Sequence, residues 1–395
     1  MVFSPNNIIA HFQPILSADS HDVYSYEVLG RYIDSDGTVK SLGPFFSNAN
    51  TTNEEALKVD RIVRRDALKK YVEQKRTEYL FINIRLAWAQ KFANKPEESP
   101  TIKWIKEFGI TPDRIVIEIT EEEFNASDDI YANVLAYYKS IGFRIALDDY
   151  GKDASNIDRL AQIAPDIIKI NIDYIQKSEK SYYYREYLKS IATFADTVGI
   201  DVLYEGVETQ RQLDICMSSK GRLYQGFLLA TPQSSMQEAV INQHIFSTSI
   251  ENAYNALHKK FEYTDELKIS LDSKIKRFLI KHPFFYNQKD IDTHLMKLCS
   301  EAPEMIRIYL CNRHGEQISY NFEWNFDNIV RRDFRGRNWA WRVFFQEALE
   351  TFIMGGKSHL STAYRDFITK KRIFTYFYAF SEDIFFFADI EREPF

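Results

Sequence analysis

Short apolar runs recur through the first two-thirds of the chain, and most of them end on a polar or charged side chain. VYSYEVL, YLFINI, RIVIEI, FRIALD, IIKINI and DVLYEG read as buried strands. Helix-like stretches lie between them, among them 53–75, 128–141 and 187–198. Gly142 and Gly199 stand just ahead of FRIALD and DVLYEG, where a helix commonly ends in a left-handed residue. Alternating strands and helices predict an α/β fold with a largely parallel sheet. Periodicity does not by itself separate a closed barrel from an open doubly wound sheet. Polar groups spread over many strand ends favour the barrel, because an open sheet gathers its site at one switch point.

The pattern changes further along. Residues 237–281 contain neither glycine nor proline and carry a mixed charged and apolar helical pattern, which predicts one or two linker helices ending before Pro283. Beyond them MIRIYLC, EQISYNF, RIFTYFYAF and DIFFFADI read as strands, the last two joined by a short hairpin at Ser381-Glu382-Asp383. With the helix-like WRVFFQEALETFIM between them, they predict a small antiparallel α+β domain. The expected division is a barrel domain over 1–245, a helical linker over 246–282 and a C-terminal domain over 283–395. For Trp339, Trp341 and Arg342 two readings stand side by side: core packing with a local ion pair, or a role in binding a ligand.

Composition narrows the function classes. A chain of 395 residues is long enough for a barrel of about 250 residues and a second, smaller core. Fifty basic against 56 acidic residues give a net charge of −6, which offers no general DNA- or RNA-binding surface but allows a local basic pocket. No apolar segment approaches the ~20 residues of a membrane span, and the N-terminus lacks the pattern of a signal peptide. Cys216, Cys299 and Cys311 have no metal-type spacing and read as buried free thiols in a reducing compartment. The expected location is cytoplasmic.

The strand-end residues carry the chemistry. Glu27, Asn83, Glu118, Asp148-Asp149, Lys169 and Glu205 follow one another at intervals of 21 to 56 residues. Carboxylate and amide oxygens are the ligands that hard divalent cations prefer. Glu27, Asn83, Glu118 and Asp148 would supply four donors from four strands, and Asp149 would reach a neighbouring second ion. Two such ions activate water and neutralise charge on a phosphoryl group. Lys169 suits a water or phosphate oxygen, and Glu205 suits the role of base. No histidine lies in these motifs, which argues against a histidine-rich zinc hydrolase. Taken singly, each acid is as well read as a helix cap or solvated loop residue, and Lys169 as a partner for one of them. From chemistry alone, metal-dependent phosphate chemistry and a carbohydrate or isomerase barrel both remain open.

The motifs together resemble the EAL family, the barrel domain of cyclic-di-GMP phosphodiesterases and receptors. Glu27-Val28-Leu29 stands where that family has its signature triplet and is followed by Gly30-Arg31. FQPI, FINI, EITE, DDYG, IIKIN, EGVE and YQGF follow in family order over residues 8–235. The resemblance implies a modified TIM (β/α)8 barrel whose first strand runs against the others, and hydrolysis of cyclic di-GMP to linear pGpG with one or two Mg²⁺ or Mn²⁺ ions. It assigns Glu27, Asn83, Glu118, Asp148 and Asp149 to metal, and Lys169 and Glu205 to catalysis. Gln13, Glu27, Leu29, Arg31, Asn171, Glu208 and Gln225 fall at substrate-binding positions, with Glu121 in support. SLGPFF, the 237–281 helix and NWAWRVFF further resemble the YkuI-like subgroup, in which a PAS-like sensory domain follows the barrel. A homodimer and an unidentified small ligand at that domain are also implied.

Two departures bear on activity. Asn171 stands where the family has an aspartate, which removes a negative charge beside the expected metals. The loop after the acid pair reads Tyr150-Gly151-Lys152-Asp153-Ala154-Ser155-Asn156 and lacks the family's second glycine and following aromatic. Two readings follow: a phosphodiesterase regulated by its C-terminal domain, or a catalytically weak or inactive cyclic-di-GMP receptor. A scaffold without nucleotide binding fits the retained residues poorly.

Overall fold

The structure, a computed structural model, describes residues 4–85, 88, 90–92, 94–120, 129–151, 157–237, 240–282, 288–325 and 328–391. It divides into two compact units, residues 1–255 and 256–395.

Nine strands make the sheet of the first unit: β1 (Ile8–Ser17), β2 (Val23–Ile33), β3 (Val39–Ser41), β4 (Tyr79–Asn83), β5 (Ile115–Thr120), β6 (Arg144–Tyr150), β7 (Ile167–Ile170), β8 (Asp201–Tyr204) and β9 (Leu223–Tyr224). Strands β2, β4, β5, β6, β7, β8 and β9 pair in parallel, each with the next. Strand β1 closes the ring by pairing antiparallel with both β2 and β9, and β3 lies outside it as an extension of β2. The result is the eight-stranded barrel with a reversed first strand that the resemblance implied. Helices Asn53–Glu73, Asp129–Ser140 and Tyr182–Val198 meet the sequence expectation, the last starting five residues earlier than expected. Gly199 ends its helix in the left-handed region at φ 75°.

Inside the ring, Ile15, Phe81, Val116, Ala146, Ile167, Leu203 and Leu223 form one fully buried apolar layer. Strand side chains alternate faces, so the residue two positions toward the barrel mouth points inward again. That step carries Phe81 to Asn83, Val116 to Glu118, Ala146 to Asp148, Ile167 to Lys169 and Leu203 to Glu205. On the reversed strand the same step runs backward, from Ile15 to Gln13. The polar series of the sequence is therefore one layer of the barrel, seated on a hydrophobic floor. Below that floor, Arg144 bonds the Tyr24 hydroxyl, and both Arg144 and Arg222 pair with Asp201.

The second unit has an antiparallel sheet of β10 (Met305–Asn312), β11 (Asn321–Asn325), β12 (Asn328–Arg332), β13 (Ser358–Leu360), β14 (Tyr364–Arg365), β15 (Arg372–Ala379) and β16 (Ile384–Glu391). Its order is β12-β11-β10-β16-β15-β13, with β14 also paired to β15. Both faces are apolar. Tyr376, Phe386 and Ala388 pack with helix Gln288–Glu301 and with Leu271, Ile275 and Phe278. Phe377, Phe385 and Phe387 pack with helix Val343–Ile353. Helix Gln243–Lys281 is continuous, one helix of 39 residues rather than two. Of the expected strand EQISYNF, regular pairing begins only at Asn321. Trp339 is held as expected, its Nε1 donating to Gln317 Oε1 at 2.9 Å, but Trp341 is 62% exposed. Arg342 has no carboxylate within salt-bridge distance among the described residues, and aromatic rings surround it instead.

Gly226, in the YQGF motif, has a steric reason to be glycine. A Cβ there would lie 2.0 Å from Val207 O and 2.2 Å from Val207 N. Those same backbone atoms bond Leu228 N and Gln225 O, so they are not free to move aside. Gly226→Ala is expected to destabilise the barrel by about 3 kcal/mol, the upper end for overpacking. Faster amide exchange in β8 and β9, with the β15–β16 amides unchanged, is the expected signature; unchanged exchange in β8 and β9 would show that the turn yields.

Candidate active site

The centre of the polar layer is the ammonium of Lys169, a side chain only 1% exposed. It lies 2.5 Å from Glu118 Oε1, 3.1 Å from Glu205 Oε2, 3.1 Å from Asp148 Oδ1 and 3.7 Å from Glu27 Oε1. Strands β2, β5, β6 and β7, with the residue after β8, thus converge on one nitrogen. Gln225 extends the layer across the ring closure, its Nε2 donating to Glu27 Oε2 at 2.6 Å. Gln13 is buried, and its Nε2 donates to Ala230 O at 3.1 Å.

Charge does not balance here. Glu27, Glu118, Asp148 and Glu205 are four carboxylates around a single lysine, and Asp149 lies beside Asp148 and Glu205. Oxygen Oε2 of Glu118 is buried without a hydrogen-bond partner, and Asp148 Oδ1 is near Lys169 but out of hydrogen-bond alignment. Oxygens of Asp148, Asp149 and Glu205 can all come within 4.8 Å of one another. A buried set of oxygen donors with surplus negative charge and unpaired atoms fits a hard divalent cation. Asn83, exposed at the mouth end of β4, pairs in register with Glu118 and adds an amide oxygen at the same level.

The electrostatics follow from this crowding. Burial alone would lower the Lys169 ammonium, but Asp148, Glu118, Glu205 and Glu27 raise it well above its ordinary value. Burial raises the Glu118 carboxyl well above the usual range despite Lys169, and the Glu27 and Asp148 charges add to the rise. For Asp148 the balance reverses: burial is outweighed by Lys169 and by hydrogen bonds, and the carboxyl is lowered. Burial pushes Glu205 up to about 8 against the attraction of Lys169.

Asn171 is the N-cap of helix Ile172–Lys180, where its Oδ1 accepts from Asp173 N at 2.8 Å. Its Nδ2 donates to Asp149 Oδ1. An aspartate at this position could make the cap but not that donation. Asp149 has φ 55°, a left-handed backbone that turns the chain sharply after Asp148. Gly151 follows at φ 98°, and its carbonyl accepts from the Tyr174 hydroxyl. Glu121 and loop residues 152–156 lie outside the described residues. Glu208 is exposed at the start of helix Gln210–Ser218, its own N–H donating to Gln212 Oε1.

Beside the layer opens a cavity of about 600 Å³. Leu29, Arg31, Asn83 and Glu118 line one side of it, and Phe46, Asp60, Arg64, Arg85 and Trp88 the other. Asp60 and Arg64 form a buried ion pair, and Arg64 Nη1 also donates to Thr101 Oγ1 at 2.5 Å. These last five residues were missed in the sequence. The signal for two of them was present: helix Asn53–Glu73 buries Ala56, Val59, Val63 and Ala67, and Asp60 and Arg64 interrupt that inward stripe at i, i+4 spacing.

The chain belongs to the EAL domain family, whose model matches residues 2–232. Residues 237–393 match a second family, the EAL-domain associated signalling protein domain. Over 399 aligned residues the chain is 30% identical to YkuI, an EAL-domain containing protein of Bacillus subtilis, covering 98% of this chain and 94% of that one. The crystal structure of Bacillus subtilis YkuI with cyclic di-GMP and calcium matches over 100% of both chains, with a TM-score of 0.88 and 28% identity. Klebsiella pneumoniae BlrP1 shares the barrel fold, with a TM-score of 0.52 and 24% identity over 61% of this chain and 60% of that one.

The raised Glu205 and Glu118 carboxyls make metal binding a competition with protons. At pH 6 Glu205, with a value of about 8 in the metal-free site, is protonated, and a cation bound to the neighbouring carboxylates favours loss of that proton. Manganese affinity by calorimetry is expected to rise from pH 6 to pH 8, by up to tenfold per pH unit for each proton released, and to level off above. A flat profile would show that the carboxylates are already ionised without metal.

Proposed function

We propose that this protein hydrolyses one phosphodiester bond of cyclic di-GMP, giving linear pGpG, with Mg²⁺ or Mn²⁺ held at the barrel mouth. The observation that carries the reading is the layer itself: Glu27, Glu118, Asp148 and Glu205 around Lys169, open to the 600 Å³ cavity. The YkuI crystal complex with cyclic di-GMP supports the choice of nucleotide. A divalent cation at Glu27, Asn83, Glu118, Asp148 and Asp149 would supply Lewis-acid polarisation and neutralise phosphoryl charge.

The chain's own residues do the rest. Glu205 takes the proton of the attacking water, a task suited to a carboxylate whose value sits near neutral pH. The water oxygen bonds to phosphorus, the bond from phosphorus to the ribose 3′ oxygen breaks, and that oxygen takes a proton from solvent and leaves as a hydroxyl, while Glu205 returns its proton to solvent. Lys169 holds the Glu205 carboxylate and a compensating positive charge within 3.1 Å. Arg31, partly buried in the cavity wall, would take a phosphate oxygen, and Gln13, Leu29, Glu208 and Gln225 would frame the nucleotide. The buried carboxylate of Asp60 gives the cavity an acceptor suited to the N–H edge of a guanine. A homodimer, a cytoplasmic location and regulation by a small ligand at the C-terminal unit complete the proposal.

A second reading has its own observation. Because Asn171 ties up Asp149 Oδ1, the acid expected at a second cation is engaged by an amide instead. The protein would then bind cyclic di-GMP and release it unchanged. Chromatography of cyclic di-GMP incubated with the protein and Mn²⁺ or Mg²⁺ separates the two. We expect pGpG from the wild type, and a rate about 10²–10⁴-fold lower for Glu205→Gln with nucleotide binding retained. Binding without product, restored to turnover by Asn171→Asp, would establish the receptor reading. No binding at all would overturn both.

A further inference from the structure

The C-terminal unit presents an exposed cluster that the barrel chemistry does not use. Trp341, Val343, Phe367 and Ile368 are each 60–63% exposed. Such large apolar side chains normally seek cover, and four together define a patch. The half-buried Arg342 belongs to the same cluster. Its guanidinium carbon lies 4.3 Å from the ring centre of Phe367, 4.9 Å from Tyr364, 5.3 Å from Trp341 and 5.6 Å from Phe344. Aromatic faces stabilise a cation without accepting in-plane hydrogen bonds, and only the Tyr364 side chain among these rings also hydrogen-bonds Arg342. Among the described residues no carboxylate lies within salt-bridge distance of Arg342, although its planar fork is shaped for one.

The rings around it are held from behind. The Tyr364 hydroxyl is 2.7 Å from Thr375 Oγ1, which donates at 2.7 Å to buried Asp389. Asp389 pairs with Arg307 at 2.9 Å, and Arg307 pairs with Asp366. Asp366 Oδ2 accepts from Thr369 N and Oγ1, both at 2.8 Å, and so fixes the turn that carries Phe367. On the other side Trp339 is anchored to Gln317 and Gly315, and Arg342 N donates to Trp339 O at 2.8 Å. Exposed rings on segments this firmly tied are pre-organised, which lowers the ordering cost of a ligand.

We propose that the Trp341–Arg342–Phe367 surface binds a small organic acid with an apolar or aromatic body. The carboxylate would take N–H groups of Arg342 not engaged by Tyr364, and the body would cover Trp341 and Phe367, whose rings stack at 6.1 Å and 18°. Of the cluster residues named above, Arg342 alone carries a charge, which suits a monoanion better than a phosphate. The inference stands apart from the barrel reaction, since none of these residues belongs to the barrel.

The test uses the full chain and 3-phenylpropionate, followed by tryptophan fluorescence and by calorimetry. We expect saturable binding, at least about tenfold weaker for the uncharged 3-phenylpropionamide and for inorganic phosphate. Arg342→Gln is expected to remove at least about tenfold of the affinity, and Phe367→Ala several-fold, with the thermal transition of each variant recorded as a folding control. Equal binding of the amide or of phosphate, undiminished binding by a folded Arg342→Gln variant, or no binding of 3-phenylpropionate would each overturn the proposal. The acid–amide comparison on the wild type stands even if a variant fails to fold.

Discussion

The first unit is organised around one buried positive charge. Removing a single partner from a buried ion pair costs about 3–5 kcal/mol, and here four carboxylates share one ammonium, so none can move without disturbing the others. That mutual dependence couples side chains from β2, β5, β6 and β7 and the residue after β8, all at the same height. The apolar layer beneath fixes that height. Because it is close-packed, a shift of one strand by a single residue would turn its site residue out of the barrel and an outward side chain in.

Much of this was legible in the sequence because the barrel translates position along each strand directly into height within the ring. A polar residue ending an apolar run must point inward at the mouth if the residue two before it lines the core. Glu27, Asn83, Glu118, Asp148, Lys169 and Glu205 could therefore be listed together before any contact was known. Asp60 and Arg64 were harder to read because a helix announces its inward face only as a stripe, and a charged pair within it looks like surface until its neighbour, Thr101, is placed. The ion pair expected at Arg342 is absent among the described residues for a related reason. An arginine next to two tryptophans suggests packing with an ion pair, but whether a carboxylate arrives depends on strands β10, β15 and β16, far away in sequence.

Asn171 shows how one atom alters a site without altering its shape. The amide keeps the helix cap that an aspartate would provide, so local backbone structure gives no reason to reject it. What changes is the partner on the other side, because an amino group now donates to Asp149 where a carboxylate would have repelled it. The substitution converts a repulsion beside the acid pair into a hydrogen bond. It thereby moves Asp149 from the set of surplus charges toward the set of satisfied ones.

The hydrogen bond from Gln225 to Glu27 joins residues 198 positions apart, and the ring closes only where β9 meets β1. On the ribosome, the first strand must therefore wait unpaired on one edge until nearly the whole barrel has emerged. The polar layer is consequently complete only once residues 223–225 are in place: a nascent fragment lacking them has neither the closing strand nor the amide that donates to Glu27.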